Sequence, residues 1–99
     1  MIVSILKFRS GLTDEEVQDL YEARADGYRA VPGLVEKFYL RFRSGEHGAV
    51  YIRENEEALE AFRASDLGGS ISTAYEFEGE PQTDLADVTL LVDRRTVNA

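Results

Sequence analysis

Two runs of alternating residues joined by a glycine-bounded turn, Pro32 to Arg53 (PGLVEKFYLRFRSGEHGAVYIR), constrain this chain more than any other stretch. From Leu34 on, Leu34, Phe38, Leu40 and Phe42 share one parity and Val35, Lys37, Tyr39 and Arg41 the other, the period of a strand. Glu36 alone breaks the apolar set. After Ser44-Gly45-Glu46-His47-Gly48 the alternation resumes, with Val50 and Ile52 against Ala49, Tyr51 and Arg53. An antiparallel hairpin at the centre of a sheet is the simplest reading.

The flanking segments supply the rest of the pattern. Ile2 to Phe8 is apolar on both parities, as in a strand covered on both faces. Thr13 with Glu16 three residues later is a capping-box signature, and the helix it starts is expected to run to about Ala30, where Pro32 and Gly33 turn the chain. On this helix Val17, Leu20, Tyr21, Arg24, Tyr28 and Val31 share one side, with Arg24 in the middle of the apolar stripe. Asn55 is the expected N-cap of a second helix carrying Leu59 and Phe62 inward, with Gly68-Gly69 as its stop. Ser70 to Glu78 alternates and predicts a fourth strand ended by Gly79-Glu80-Pro81, and Leu85 to Asp93 predicts one more at the C-terminal end. Residues 1–93 then form one domain, and Arg94 to Ala99 a frayed tail.

The element order is β-α-β-β-α-β with an appended strand, an α+β fold of the ferredoxin-like kind. Right-handed crossovers place both helices on one face of an antiparallel sheet. The other face is left uncovered. The parity of the hairpin assigns Tyr39, Arg41 and Tyr51 to it, and a second protomer is the natural cover, so a two-fold homodimer is expected.

Composition narrows the function classes. A formal charge of -8, from 11 Lys and Arg against 19 Asp and Glu, opposes nucleic acid and anionic membrane surfaces. With no cysteine and one histidine, thiolate chemistry and Cys- or His-rich metal sites are excluded. No apolar run approaches membrane-spanning length and the N-terminus has no leader pattern, so a cytoplasmic location is expected. No phosphate loop, nucleophile elbow or HExxH pattern occurs. The acidic runs Asp14-Glu15-Glu16 and Glu56-Glu57 lie at helix starts, where the helix dipole accounts for them.

Pro32-Gly33-Leu34, the run Gly48-Ala49-Val50-Tyr51-Ile52 followed by an acidic, alanine-rich helix, and Glu78-Gly79-Glu80-Pro81 resemble the YdhR-type monooxygenases. These stand within the dimeric α+β barrel superfamily, the group that contains the antibiotic-biosynthesis monooxygenases. The likeness covers nearly the whole chain. It implies a homodimer in which each monomer holds a small-molecule pocket between sheet and helices. Members oxidise aromatic or polyketide-like substrates without metal or flavin, and others isomerise, dehydrate or bind haem.

Arg24 is the most informative polar residue, since a guanidinium in an apolar stripe must be paired, reach water, or meet an oxygen of a ligand. A carboxylate such as Glu36 is one candidate partner. Tyr21 and Tyr28 flank it, either as core phenols bonded to backbone or as walls for a flat aromatic ligand. With Phe38 and Phe62 these residues make up the expected pocket lining; no catalytic residue is assigned. His47 is expected in a solvated turn. Three functions stay open: a cofactor-independent monooxygenase or small oxidoreductase, an isomerase or cyclase on the same pocket, and a non-catalytic ligand-binding or dimerisation module.

Overall fold

Thr13 starts the first helix as its capping box predicts: the Glu16 N–H donates to Thr13 Oγ1 (3.2 Å) and the Thr13 N–H to Glu16 Oε1 (3.0 Å). The structure is a computed structural model that describes residues 1–93; the tail expected to fray, Arg94 to Ala99, lies outside the described residues. The order is β1 (Ile2–Ser10), α1 (Asp14–Arg29), β2 (Leu34–Arg41), β3 (His47–Arg53), α2 (Glu56–Arg63), α3 (Asp66–Gly69), α4 (Ile71–Ala74) and β4 (Phe77–Asp87). The strands form one antiparallel sheet in the order β2-β3-β1-β4. The expected hairpin forms but is not the centre of the sheet: β3 lies beside β1, while β2 is an edge strand. The helices pack on one sheet face, where Tyr28 of α1 and Phe62 of α2 meet ring to ring.

The faces of β2 are the reverse of what its parity predicts. Leu34 pairs with Arg53 and Glu36 with Ile52, so β2 advances by two residues where β3 advances by one. Val35 is the extra residue of a β-bulge. Beyond it Lys37, Tyr39 and Arg41 turn to the helices, while Phe38 and Leu40 turn away. Tyr51, opposite Lys37, is 4% exposed in the core. Tyr39, Arg41 and Tyr51 are therefore not on the uncovered face. That face carries Phe38, Val50 and Ile5 in one register row and Ile52 and Val3 in the next, with Phe38 50% and Ile5 39% exposed.

The chain after α2 departs most from expectation. Ser65 caps α3, so Gly68-Gly69 lie inside a helical turn and do not end the preceding helix. Gly68 is required there because a Cβ would collide with the Phe62 carbonyl. Ser70 to Tyr75 is helical, not strand: Ile71, Ala74 and Tyr75 reach the core at i, i+3, i+4. Ile71 and Tyr75 alone, four apart, fit a period of two equally well.

The fourth strand begins only at Phe77 and runs through Gly79-Glu80-Pro81 without ending there. Lys7 pairs with Gln82 and Arg9 with Glu78, so this tripeptide opposes Phe8 as a bulge, with Gly79 at φ 75°. The edge position of β4 tolerates the missing N–H of Pro81. No separate C-terminal strand follows among the described residues. Leu85 to Asp87 close β4, and Val88 to Asp93 lie outside any strand.

Candidate functional site

Between sheet and helices a cluster of tyrosines packs around three basic side chains, with an enclosed cavity of only ≈ 10 Å³. Tyr21 stacks on Tyr39 at 4.3 Å between centroids, and Tyr28 meets Tyr39 edge-on at 6.2 Å and Tyr51 at 6.2 Å. Phe62 closes against Tyr28 and Tyr51 at 5.8 and 5.7 Å. Into this cage β2 projects Lys37, whose Nζ lies 3.1 Å from the centroid of Tyr28, 4.1 Å from Tyr39 and 4.6 Å from Tyr51.

Burial pushes Lys37 down to about 6, and the positive charges of Arg24 and Arg53 push the same way. The ring faces oppose this, at about 0.5–2 kcal/mol each for a cation over an aromatic. Taking an ammonium out of water costs several kcal/mol, so the amine is the favoured form near neutrality. A surface lysine would hold its proton throughout this range.

Arg24 rises from α1 towards the α3–α4 segment. Its Nη2 donates to Ser70 Oγ (3.0 Å) and, more weakly, to the Leu67 carbonyl (3.4 Å), and its guanidinium carbon lies 5.6 Å from the Tyr75 centroid. Its Nε is buried without a hydrogen-bond partner. Arg53 is buried on β3: Nη1 donates to Ser4 Oγ (2.9 Å), the guanidinium lies over Tyr51 and Phe62, and Nε likewise has no partner. Burial lowers its pKa from the ordinary arginine value.

The tyrosines divide into two kinds. The Tyr21 hydroxyl donates to the Leu40 carbonyl (2.9 Å) and accepts from the Gly48 N–H (3.2 Å), the behaviour of a core phenol bonded to backbone. The hydroxyls of Tyr28, Tyr39 and Tyr75 are buried with no hydrogen-bond partner. A buried hydroxyl without a partner costs about 1–3 kcal/mol. Burial raises Tyr39 and Tyr51 strongly and Tyr21 and Tyr75 to about 12, so all four keep their protons at neutral pH.

A cleft of ≈ 330 Å³ between the C-terminal half of α1 and the start of β2 opens onto Lys37, Tyr28 and Tyr39; Arg29, Leu34 and Glu36 border it. A second cleft, ≈ 440 Å³, lies at the N-terminal end of α1. His47 lines it, not in a solvated turn but on β3 and 4% exposed, with Nε2 3.1 Å from Asp14 Oδ1. That contact lacks the alignment of a hydrogen bond.

Of the residues expected to line a pocket, Tyr21, Arg24, Tyr28 and Phe62 come together on the helix side. Phe38 does not, because the bulge at Val35 turns it to the opposite face. The sequence reading missed Lys37, Arg53 and Tyr75. A lysine inside an aromatic strand, Lys37-Phe38-Tyr39, was the available signal, hidden by the assumption of unbroken alternation.

No family model matches the sequence. No curated protein matches it either. Solved structures do. A protein of unknown function, NE2512 from Nitrosomonas europaea, superposes with a TM-score of 0.76 at 12% identity, over 92% of this chain and 91% of that one. SnoaB, a cofactor-independent oxygenase from Streptomyces nogalater, gives 0.74 at 15% identity over 92% and 95%. An antibiotic biosynthesis monooxygenase gives 0.72 at 13% identity over 91% and 100%. At these identities the likeness is one of fold, and the chain has the ferredoxin-like α+β fold of the antibiotic-biosynthesis-monooxygenase structures.

Proposed function

We propose that the chain is a small monooxygenase that acts without a cofactor on an aromatic or polyketide-like molecule held between sheet and helices. The observation that carries this reading is the ≈ 330 Å³ cleft that opens onto Lys37, Tyr28 and Tyr39, with the Arg24 and Arg53 guanidiniums among the tyrosines behind it. Flat electron-rich rings suit the walls, and enclosed positive groups favour an enolate or phenolate. Such an anion is the electron-rich form that can reduce oxygen directly. For an activated methylene the overall reaction balances: the CH2 group and one dioxygen give a carbonyl and one water, with one oxygen atom in each product. The fold shared with SnoaB, a cofactor-independent oxygenase, supports the choice of chemistry.

The same reading makes the working unit a homodimer. The row Phe38, Val50 and Ile5, extended by Ile52 and Val3, gives the sheet face without helices an apolar centre, with Glu36 and Asp84 at its edges, the kind of surface a second copy covers.

An oxygen electrode tests the enzymatic reading with a panel of polycyclic phenols and enolisable ketones. The expected result is protein-dependent oxygen uptake with formation of one equivalent of carbonyl product. Turnover without oxygen uptake would replace it by an isomerase or cyclase, and binding without turnover by a ligand-binding module.

A further inference from the structure

We propose that Lys37 is the base of this site: its Nζ takes the proton from an enol or phenol hydroxyl that enters through the cleft beside it, and the ammonium so formed holds the oxyanion. The proposal rests on the reading of the space as a substrate pocket and names the residue that activates the substrate.

Placement carries it. Among the described residues Lys37 is the one basic group that both sits within the tyrosine cage and borders the ≈ 330 Å³ cleft. Arg24 and Arg53 point into the same interior but are tied to Ser70 and Ser4, and a guanidinium does not give up its proton. Tyr39, Tyr51 and Tyr75 cannot serve, because burial keeps them protonated. The tyrosine cage can donate: the hydroxyls of Tyr28 and Tyr39, two residues that line the cleft, and of Tyr75 deeper in, are buried with no hydrogen-bond partner.

The groups facing Nζ set its proton affinity. From α1 come Arg24 and Tyr28, from β3 Tyr51 and Arg53, from β2 Tyr39, and Tyr75 follows α4; Arg29 and Glu36 border the cleft. Burial and the two guanidiniums hold the amine uncharged before substrate arrives. In the step itself the substrate O–H bond breaks with its electron pair left on oxygen, and the amine lone pair forms the new N–H bond. No oxidant is consumed. The newly formed oxyanion then compensates the ammonium that the empty cage disfavours, so binding and proton transfer favour each other.

Two measurements test this. Lys7 and Lys37 are the only lysines in the sequence, so acetylation of Lys37 is resolved by peptide mass. Acetylation by acetic anhydride, followed with mass spectrometry, is expected to level off for Lys37 above about pH 7, while the side chain of added Nα-acetyl-lysine gains about tenfold per pH unit towards its ordinary range. Parallel pH profiles for the two would overturn the proposal. The second probe is 4-nitrophenol, yellow only as the phenolate. At about pH 6.5, where the amine form of Lys37 is populated and the free probe is only partly ionised, the wild type is expected to deepen the yellow and Lys37→Met, checked for folding by circular dichroism, is not. A wild-type mixture no yellower than the free probe, or equal colour with both proteins, would overturn it. Ionisation without oxygen uptake from any substrate keeps the base and rejects oxygenation. Oxygen uptake undiminished in Lys37→Met keeps oxygenation and rejects the base.

Discussion

Leu34 and Lys37, three residues apart on β2, face the same side of the sheet, because Val35 is an extra residue in the ladder with β3. An odd separation puts strand residues on opposite faces unless a bulge intervenes. The extra residue Val35 therefore lets Leu34 share the helix side with Lys37 and Tyr39, which lie opposite Tyr51 and Ala49, while Phe38, opposite Val50, leaves it.

Deleting Val35 tests this. Leu34, Glu36 and Lys37 would then stand in regular succession opposite Arg53, Ile52 and Tyr51, so every later pair keeps its face and Tyr39 stays stacked on Tyr21. We expect a folded chain whose loss of stability in urea unfolding falls well short of the roughly 3–5 kcal/mol that losing a buried aromatic costs. A loss of that full size would show that the bulge itself, and not the pairing with β3, holds the faces of β2.

How much of this was legible in the sequence follows from where patterns are locally determined. Thr13 and Glu16 cap α1 as read, because a capping box needs only residues three apart. The β2–β3 pairing also holds, since it follows from two alternating runs and a short turn. The faces of β2 do not, because a bulge is chosen by the whole ladder and leaves no mark at Val35 itself. Ser70 to Tyr75 misled for another reason: Ile71 and Tyr75 fit helix and strand alike, and tertiary packing chose between them. Within the site, Arg24, Tyr21, Tyr28 and Phe62 were legible from helical periodicity. Lys37 and Arg53 were not, since charged strand residues read as solvent-facing.

The uncovered sheet face predicts the association state. Phe38→Glu or Val50→Glu is expected to weaken self-association, because an interface core tolerates an unpaired charge badly, while leaving the monomer folded. Tyr51→Glu is expected to unfold the chain, since Tyr51 lies in the helix-side core. Light scattering with circular dichroism separates the two effects. A Phe38→Glu protein of unchanged mass would remove this face as the interface.

Stability should depend on pH through Lys37. Its folded-state pKa, about 6, lies below its ordinary value of 10.5, so between these limits the unfolded chain binds the extra proton. Stability from this group therefore rises with pH from about 6 to about 10, with a slope of up to about 1.4 kcal/mol per unit. Below pH 6 both states are protonated and the dependence ends. Tyr21 and Tyr75 act oppositely at higher pH. Raised from 10.0 to about 12 when folded, they make stability fall above pH 10. Lys37→Met should lose the rise between pH 7 and 9 and keep the fall above 10. Denaturant titrations at successive pH values read both limbs, and a rise that persists in Lys37→Met would assign it to other groups.

Arg24→Met separates a tether from a ligand-holding role. As a tether, Arg24 joins α1 to the α3–α4 segment through Ser70 Oγ at 3.0 Å and the Leu67 carbonyl at 3.4 Å. Losing these bonds is expected to cost about 1–2 kcal/mol, limited because Ser70 Oγ still donates to the Leu67 carbonyl at 2.9 Å. Relief of the partnerless Nε offsets part of this. As a member of the charged interior, Arg24 also helps hold down the proton affinity of Lys37, so its removal must shift the midpoint of Lys37 acetylation upward in pH. It should also weaken 4-nitrophenolate binding by about 1–3 kcal/mol, the scale of a charged hydrogen bond, and calorimetry on both proteins reads that difference. A destabilised variant with the Lys37 midpoint and phenolate affinity unchanged would leave Arg24 as a tether alone. An upward shift with weakened binding and a folded chain would place Arg24 and Lys37 in one electrostatic unit, in which the guanidinium keeps the amine free to accept a proton and then shares the anion that results.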